Sequence, residues 1–141
     1  MKTSVCIMLL LFLAAAGRTF GDTICDWTRH EATNEQRYHD VLTLDGGVIC
    51  LQETITNSDG PLTTTYKVQL SQVDSITDPQ LDSPTSPDGW YDVKIVATGN
   101  AVNVQVDSDT LPPDHDVLLV FATRERAVQI VAQLRQLVAG R

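Results

Sequence analysis

The densest group of residues able to do chemistry brackets a Pro-Pro step: Asp107, Asp109, Asp114, His115 and Asp116 flank Pro112-Pro113. Carboxylates converging from one loop are hard oxygen donors that suit Ca²⁺, and an imidazole among them shifts the preference toward Zn²⁺. A metal-assisted hydrolase built on these five residues is therefore one reading. The spacing departs from the helix-loop-helix calcium loop, which needs a central Gly and a terminal Glu. Asp residues beside Pro and at strand ends also form turns and keep a sheet edge soluble, and the spacing favours that role. His30 beside Glu31 and His39 beside Asp40 have the composition of a general base with its orienting acid. No Gly-x-Ser-x-Gly elbow, phosphate-cradling loop or dinucleotide fingerprint accompanies them. No residue is assigned as catalytic, the chain reads as non-enzymatic, and no cofactor is expected beyond the Ca²⁺ or Zn²⁺ such a loop could hold.

The amino terminus sets the compartment. Lys2, the apolar run from Val5 to Leu13 and the small residues Ala14-Ala15-Ala16-Gly17 have the three parts of a secretory signal peptide spanning residues 1–21. The run is short of the roughly 20 residues a membrane span needs. Cleavage after Ala16 or after Gly21 satisfies the small-residue rule, with Gly21 preferred. No Cys in residues 17–22 offers a lipid-attachment point, so the product is expected in the periplasm or outside the cell. Cys6 leaves with the leader, and the remaining Cys25 and Cys50 are an even count in an oxidising compartment. A Cys25–Cys50 disulfide is expected, closing a loop of about 25 residues and contributing about 3 kcal/mol in the loop-entropy account.

The formal charge of −8 over 141 residues becomes −10 once the leader and its two basic residues are removed. Nucleic acid and anionic membrane surfaces attract basic faces, so both are excluded as partners, and a basic protein is the natural one. Residues 22–121 carry −13 and residues 122–141 carry +3, so the one basic element is the carboxy-terminal one. Trp90-Tyr91 closes a Pro- and Asp-rich stretch, 77–90. This aromatic pair either anchors a partner or makes the first core contact of the following strand.

Period-two alternation from Tyr38 to Asp107 predicts strands. Tyr38, Leu42 and Leu44 share a face, and Asp45-Gly46-Gly47 turns the chain back to Ile49, Leu51 and Ile55. Asn57-Ser58-Asp59-Gly60-Pro61 leads to Tyr66, Val68 and Leu70, followed by a short strand at Val73 and Ile76. After the 77–90 loop, Tyr91 to Ala97 and Val102 to Val106 form a hairpin. Ser108–Asp116 reads as a second loop, and Val117–Phe121 as a buried strand. The period then becomes 3.6: Thr123 is an N-cap, Ala127, Ile130, Val131, Leu134, Leu137 and Val138 form one stripe, and Gly140 ends a helix over 123–139. Residues 22–37 read as an N-terminal arm ahead of one domain, 38–141.

The expected fold is mainly β with a C-terminal α-helix: a seven-stranded antiparallel bent sheet or partly open barrel capped by one amphipathic helix. Tyr66–Ile76, where a strand steps through Leu70, Val73 and Ile76 into the next, and Val117–Ala127, where the last strand turns directly into the helix, resemble the pleckstrin-homology-like fold, including its GRAM-type members. The resemblance covers residues 38–139 and implies a binding module. Phosphoinositide-binding members carry basic residues on the first two strands and their loop, where this chain has Asp40, Asp45 and Glu53, so no ligand residues carry over. The functional expectation is an exported protein-binding domain. The alternatives are the metal-dependent protein above and a carrier of a small apolar ligand.

N-terminal sequencing of the exported product should begin at Asp22, or at Gly17 if cleavage follows Ala16. A product that retains Met1 contradicts the leader.

Overall fold

The structure is a computed structural model that describes residues 21–31, 35–82 and 89–141. The leader and the Ala16 cleavage point lie outside the described residues, as do residues 83–88 of the Pro-rich stretch. Ten strands and one long helix follow in chain order. They are β1 (Asp22–His30), β2 (Arg37–Asp45), β3 (Val48–Asn57), β4 (Gly60–Gln69), β5 (Val73–Ile76), β6 (Gln80–Leu81), β7 (Tyr91–Ala97), β8 (Val102–Val106), β9 (Asp109–Asp114), β10 (Asp116–Phe121) and α1 (Arg124–Ala139). They form two antiparallel sheets, a six-stranded one ordered β1-β2-β3-β4-β8-β9 and a smaller one ordered β10-β7-β5 with β6 also on β7. The expected fold class holds in outline, mainly β with a C-terminal helix. Instead of seven strands in one bent sheet or barrel there are ten in two sheets that do not close.

The hairpins form where the turn chemistry allows. Gly46 and Gly47 both take positive φ, 53° and 78°, which the two-residue reversal between β2 and β3 requires. After Gln69 the chain makes one 3₁₀ turn, Leu70–Gln72, and enters the second sheet at Val73. Inward residues of both sheets and the helix meet in one core. Leu42, Val93, Ile95, Val102, Leu119, Phe121, Ala127 and Leu134 have no exposed surface at all. The helix begins where Thr123 accepts a hydrogen bond from the Arg126 amide at 3.3 Å, ends at Gly140, and buries Ala127, Ile130, Val131 and Leu134. Arg135 reaches across to donate to the Ile76 carbonyl and the Asp78 carboxylate, both at 2.9 Å, and so fastens α1 to the end of β5. No helix among the described residues is long and apolar enough to cross a membrane.

Three expectations are corrected. The 22–37 arm is largely β1, an edge strand paired with the whole of β2. Its inward face runs Cys25, Trp27, Arg29, and the charged third member disguises the alternation. The 108–116 loop contains β9, in which Pro112 and Pro113 fall in a register irregularity between the Val104–Leu111 and Val102–Asp114 pairs. Proline is tolerated there because β9 is the other edge of the sheet, where a missing N–H breaks no ladder. The third correction is the disulfide. Cys25 sits opposite Leu42 on β2, while Cys50 on β3 sits opposite Thr43. Leu42 and Thr43 project to opposite faces, so the two sulfurs lie on opposite sides of the sheet with β2 between their strands. Two strand spacings amount to about 10 Å, beyond the roughly 7 Å limit between bridged Cα atoms.

Peptide mapping of the unreduced native protein should find no Cys25–Cys50 crosslinked fragment. Such a fragment in good yield would contradict the register of β1, β2 and β3.

Candidate functional site

The register that builds the core also builds a charged corner at one end of it. Along the inward face, β1 runs Cys25, Trp27, Arg29; β2 runs Leu42, Asp40, Tyr38; β3 runs Leu51, Glu53, Ile55. Antiparallel pairing sets Arg29 opposite Tyr38, Trp27 opposite Asp40, and Asp40 opposite Glu53. An arginine and two carboxylates thus enter the interior side by side, one step beyond the last fully apolar positions. Trp27 marks the border: it stacks on Phe121 at 4.7 Å between ring centroids and donates from Nε1 to the Val120 carbonyl at 2.9 Å. That bond ties the β1 edge to the second sheet.

Arg29 is 5% exposed and Asp40 2%. Arg29 donates to Asp40 Oδ2 from Nε at 3.0 Å and from Nη2 at 2.8 Å, and to Glu53 Oε2 from Nη2 at 3.0 Å. Its guanidinium carbon lies 4.4 Å from the Tyr38 ring centre and 5.1 Å from that of Trp90. The two rings meet edge to face at 5.8 Å. Aromatic faces attract a cation, more strongly when water is excluded. A buried charge needs this many partners, since desolvating it alone is very unfavourable.

The carboxylates nevertheless exceed what one arginine can balance. Asp40 gives one oxygen to Arg29, and its Oδ1 is buried without a hydrogen-bond partner, as are Asp92 Oδ1 and Glu31 Oε2. Burial pushes the Asp40 carboxyl up to about 6, with Glu53 adding to the rise against the pull of the Arg29 charge and its hydrogen bonds. Asp92, in β7, is also raised to about 6, first by burial and then by the neighbouring Asp82 carboxyl, while Arg29 and Lys94 oppose. Burial raises the Tyr38 hydroxyl, and Glu31 is the largest charge acting in the same direction. One guanidinium thus bonds to Asp40 and Glu53, its charge also lowers the Asp92 carboxyl against the other causes, and Glu31 acts on the Tyr38 hydroxyl.

The residues singled out in the sequence distribute differently. Trp90 forms a wall of the Arg29 corner, whereas Tyr91 faces the core and pairs with Phe121 on one side and Leu81 on the other. His39 and Asp40 do not act together: alternation puts Asp40 inside and His39 outside, where it meets Asp26 at 2.7 Å. The five residues around Pro112-Pro113 separate. Asp107 turns the β8–β9 hairpin with φ 49° and its carboxylate accepts from the Thr63 amide at 3.1 Å. Asp109 pairs with Val106 at that same end. Asp114, His115 and Asp116 gather at the opposite end, where the chain passes from one sheet to the other, with ligand atoms within 4.8 Å of one another. There the imidazole lies between Asp114 Oδ1 at 3.0 Å and Asp116 Oδ2 at 3.3 Å, and Lys94 competes for Asp116 at 3.4 Å. The metal reading thus contracts from five residues to three, of which Asp116 is half-buried.

The sequence reading paired Asp40 with His39, and did not single out Arg29 or Glu53 as its buried partners. The available signal was a charged residue at an inward position of an alternating strand: Asp40 between Tyr38 and Leu42, Glu53 between Leu51 and Ile55. Such a position demands a buried partner, and reading the apolar neighbours while passing over it loses the clue. Compared with protein-family models, curated proteins and solved structures, the chain matches none.

Replacing Arg29 by Leu leaves Asp40 and Glu53 without their counter-charge and should destabilise the protein by about 3–5 kcal/mol, the range for breaking a buried ion pair from one side. Asp40 and Asp92 hold protons in the folded chain at pH values where the unfolded chain has released them. The stability they contribute is whole below about pH 3.8 and is lost as pH rises through about 6. Urea midpoints should therefore fall between pH 4 and 7, and Asp92→Asn should flatten part of that fall. Identical profiles for the two proteins would contradict the burial of Asp92.

Proposed function

We propose that this chain is an exported, non-enzymatic binding domain of pleckstrin-homology-like architecture whose partner is a basic protein. The observation that carries the reading is the Arg29 corner, where one guanidinium serves two carboxylates, Asp40 keeps a buried oxygen without a partner, and the half-buried Trp90 lies against the guanidinium. An acidic body, with −13 over residues 22–121, repels anionic partners and attracts cationic ones by the long reach of its charge. A local excess of carboxylates beside an aromatic gives that attraction a place. Two features support the architecture: the passage of β4 through a 3₁₀ turn into β5 of the second sheet, and the direct run of β10 into α1. Export rests on the leader pattern of residues 1–21.

The electrostatic part of this reading has a direct test. An oligolysine peptide should bind the purified domain at low ionic strength and weaken steeply toward about 0.3 M salt, as screening shortens the reach of the charges. An oligoglutamate of equal length should not bind. Equal binding of the two, or oligolysine binding indifferent to salt, would overturn it.

A further inference from the structure

On the outward face of the six-stranded sheet, the ends of β1, β2 and β3 gather cations that this acidic chain keeps scarce elsewhere. The register sets His30 opposite Arg37 and Arg37 opposite Thr56, with Thr28, His39 and Thr54 as the row alongside. Directly opposed side chains have their Cβ atoms about 5 Å apart. Alternation sends Arg29 inward and leaves Thr28, His30, Arg37, His39 and Thr56 exposed. Two surface grooves, of about 730 and 580 Å³, are both lined by His30, Arg37 and Thr56. The larger continues over Asn57 and Ser58 at the β3–β4 turn, the smaller over Thr28 and His39.

The charges around this shared row suit an anion. Among the described residues, the side chains of His30 and Arg37 are engaged in no ion pair or hydrogen bond. His39 is held in place by Asp26 of β1 at 2.7 Å. Glu35 is the one described carboxylate residue that lines either groove, and no ion pair joins it to Arg37 or His30. Glu31 and Asp40 adjoin the two histidines along the chain, and Asp59 follows Ser58 in the turn, yet none of them lines a groove; Asp40 is inside against Arg29, and Glu31 has a buried oxygen. β3 adds no charge to these two rows, only the hydroxyls of Thr54 and Thr56, and the first of these is already bonded to Thr63 at 3.0 Å.

A guanidinium fork matches two oxygens of an oxyanion, and an imidazole and a hydroxyl beside it supply further donors. A groove of this size exceeds what a bare ion fills and falls in the range of small-molecule sites. An anionic bilayer or a long polyanion would meet the −13 of residues 22–121, whereas one small anion seated on Arg37 is screened from charges beyond about 10 Å at 0.1 M salt. His30 and Arg37 also precede residues 38–139, the part that resembles the pleckstrin-homology-like fold, so nothing at this row is carried over from that resemblance.

We propose that the His30, Arg37 and Thr56 row, with Thr28 and His39 beside it, binds the oxyanion head of a small soluble organic sulfate or phosphate ester whose carbon body lies in the larger groove. The row is on the opposite face of the sheet from the inward Arg29 corner, and the site stands independently of the basic-partner reading.

The test uses the full mature chain and phenyl sulfate, observed through the histidine ring resonances. The chain has three histidines, and His115, between β9 and β10, lines neither groove, so it is the internal control. Phenyl sulfate should move the resonances of His30 and His39 and leave His115 in place. Its charge is constant while imidazoles take up protons between about pH 8 and 5, so its affinity should rise about threefold or more from pH 7.5 to pH 5.5. Arg37→Gln should weaken binding about tenfold, the loss of one charged hydrogen-bonding group, and leave the unfolding midpoint near that of the parent. Glu35→Gln should tighten binding by removing the carboxylate from the lining. Phenyl phosphate should compete for the same row, and inorganic sulfate should bind more weakly than either ester. Equal movement of all three histidines, an unmoved His30, pH-independent affinity, or parental affinity in Arg37→Gln would overturn the site. Equal affinity for inorganic sulfate and phenyl sulfate would overturn the organic body, and binding to phosphatidylserine vesicles without binding to phenyl sulfate would overturn the soluble ligand.

Discussion

The constraint on which the structure turns is the burial of Arg29 against Asp40 and Glu53. Three neighbouring strands must hold their register for these side chains to meet, because a slip of one residue would send every one of them to the opposite face. The same register places Trp27 against Phe121 and Leu42 beside Leu51. A mispaired alternative would bury an arginine or an aspartate with no counter-charge, so the ion pair acts against wrong pairings even where its net contribution to stability is small. It also explains how β1, an edge strand with few aliphatic residues, remains in the sheet. Its anchors are a tryptophan and an arginine, and each has a specific receptor.

Sheet closure is completed by unlike means at the two ends. At one, α1 lays its aliphatic stripe across the core, and arginines of the helix and of the chain end just after it reach out to the sheets: Arg126 donates to Cys25 Sγ at 3.2 Å, Arg135 to the Ile76 carbonyl, and Arg141 to the carbonyls of Leu70 and Val73. Toward the Arg29 end no helix among the described residues covers the interior, and aromatic rings and charge stand there. The two edges nearest each other, β1 and β10, are joined by the Trp27 indole bond rather than by a ladder. The sheets therefore stay open as two, and the polar end keeps access to solvent through half-buried Trp90 and Asp92.

Periodicity worked where a strand had a dry face and a wet one. β2, β3, β4, β7, β8, β10 and the helix were all legible, together with the Gly46-Gly47 turn and the Thr123 cap, since each depends on local spacing. It failed at β1, whose inward face offers Cys25, Trp27 and Arg29 and no aliphatic residue, and at β9, where an edge tolerated Pro112 and Pro113. The disulfide expectation failed for a related reason. Counting cysteines gives parity but neither the strand between them nor the face each occupies.

The candidate corner shows the same division most sharply. Sequence by itself determined the strand and helix segments that alternation marks, the acidic balance of the body and the basic character of the tail, all of which are properties of neighbours along the chain. Only tertiary structure decided that Arg29, Asp40, Glu53 and Trp90, drawn from residues more than sixty positions apart, occupy one corner. It also decided that the five residues around Pro112-Pro113 part into two groups. Which face a residue takes is written in the local pattern, but which charges share that face is set by the register between strands. Register is a long-range consequence of packing, so a buried aspartate looks like any other aspartate until its neighbours across the sheet are in place.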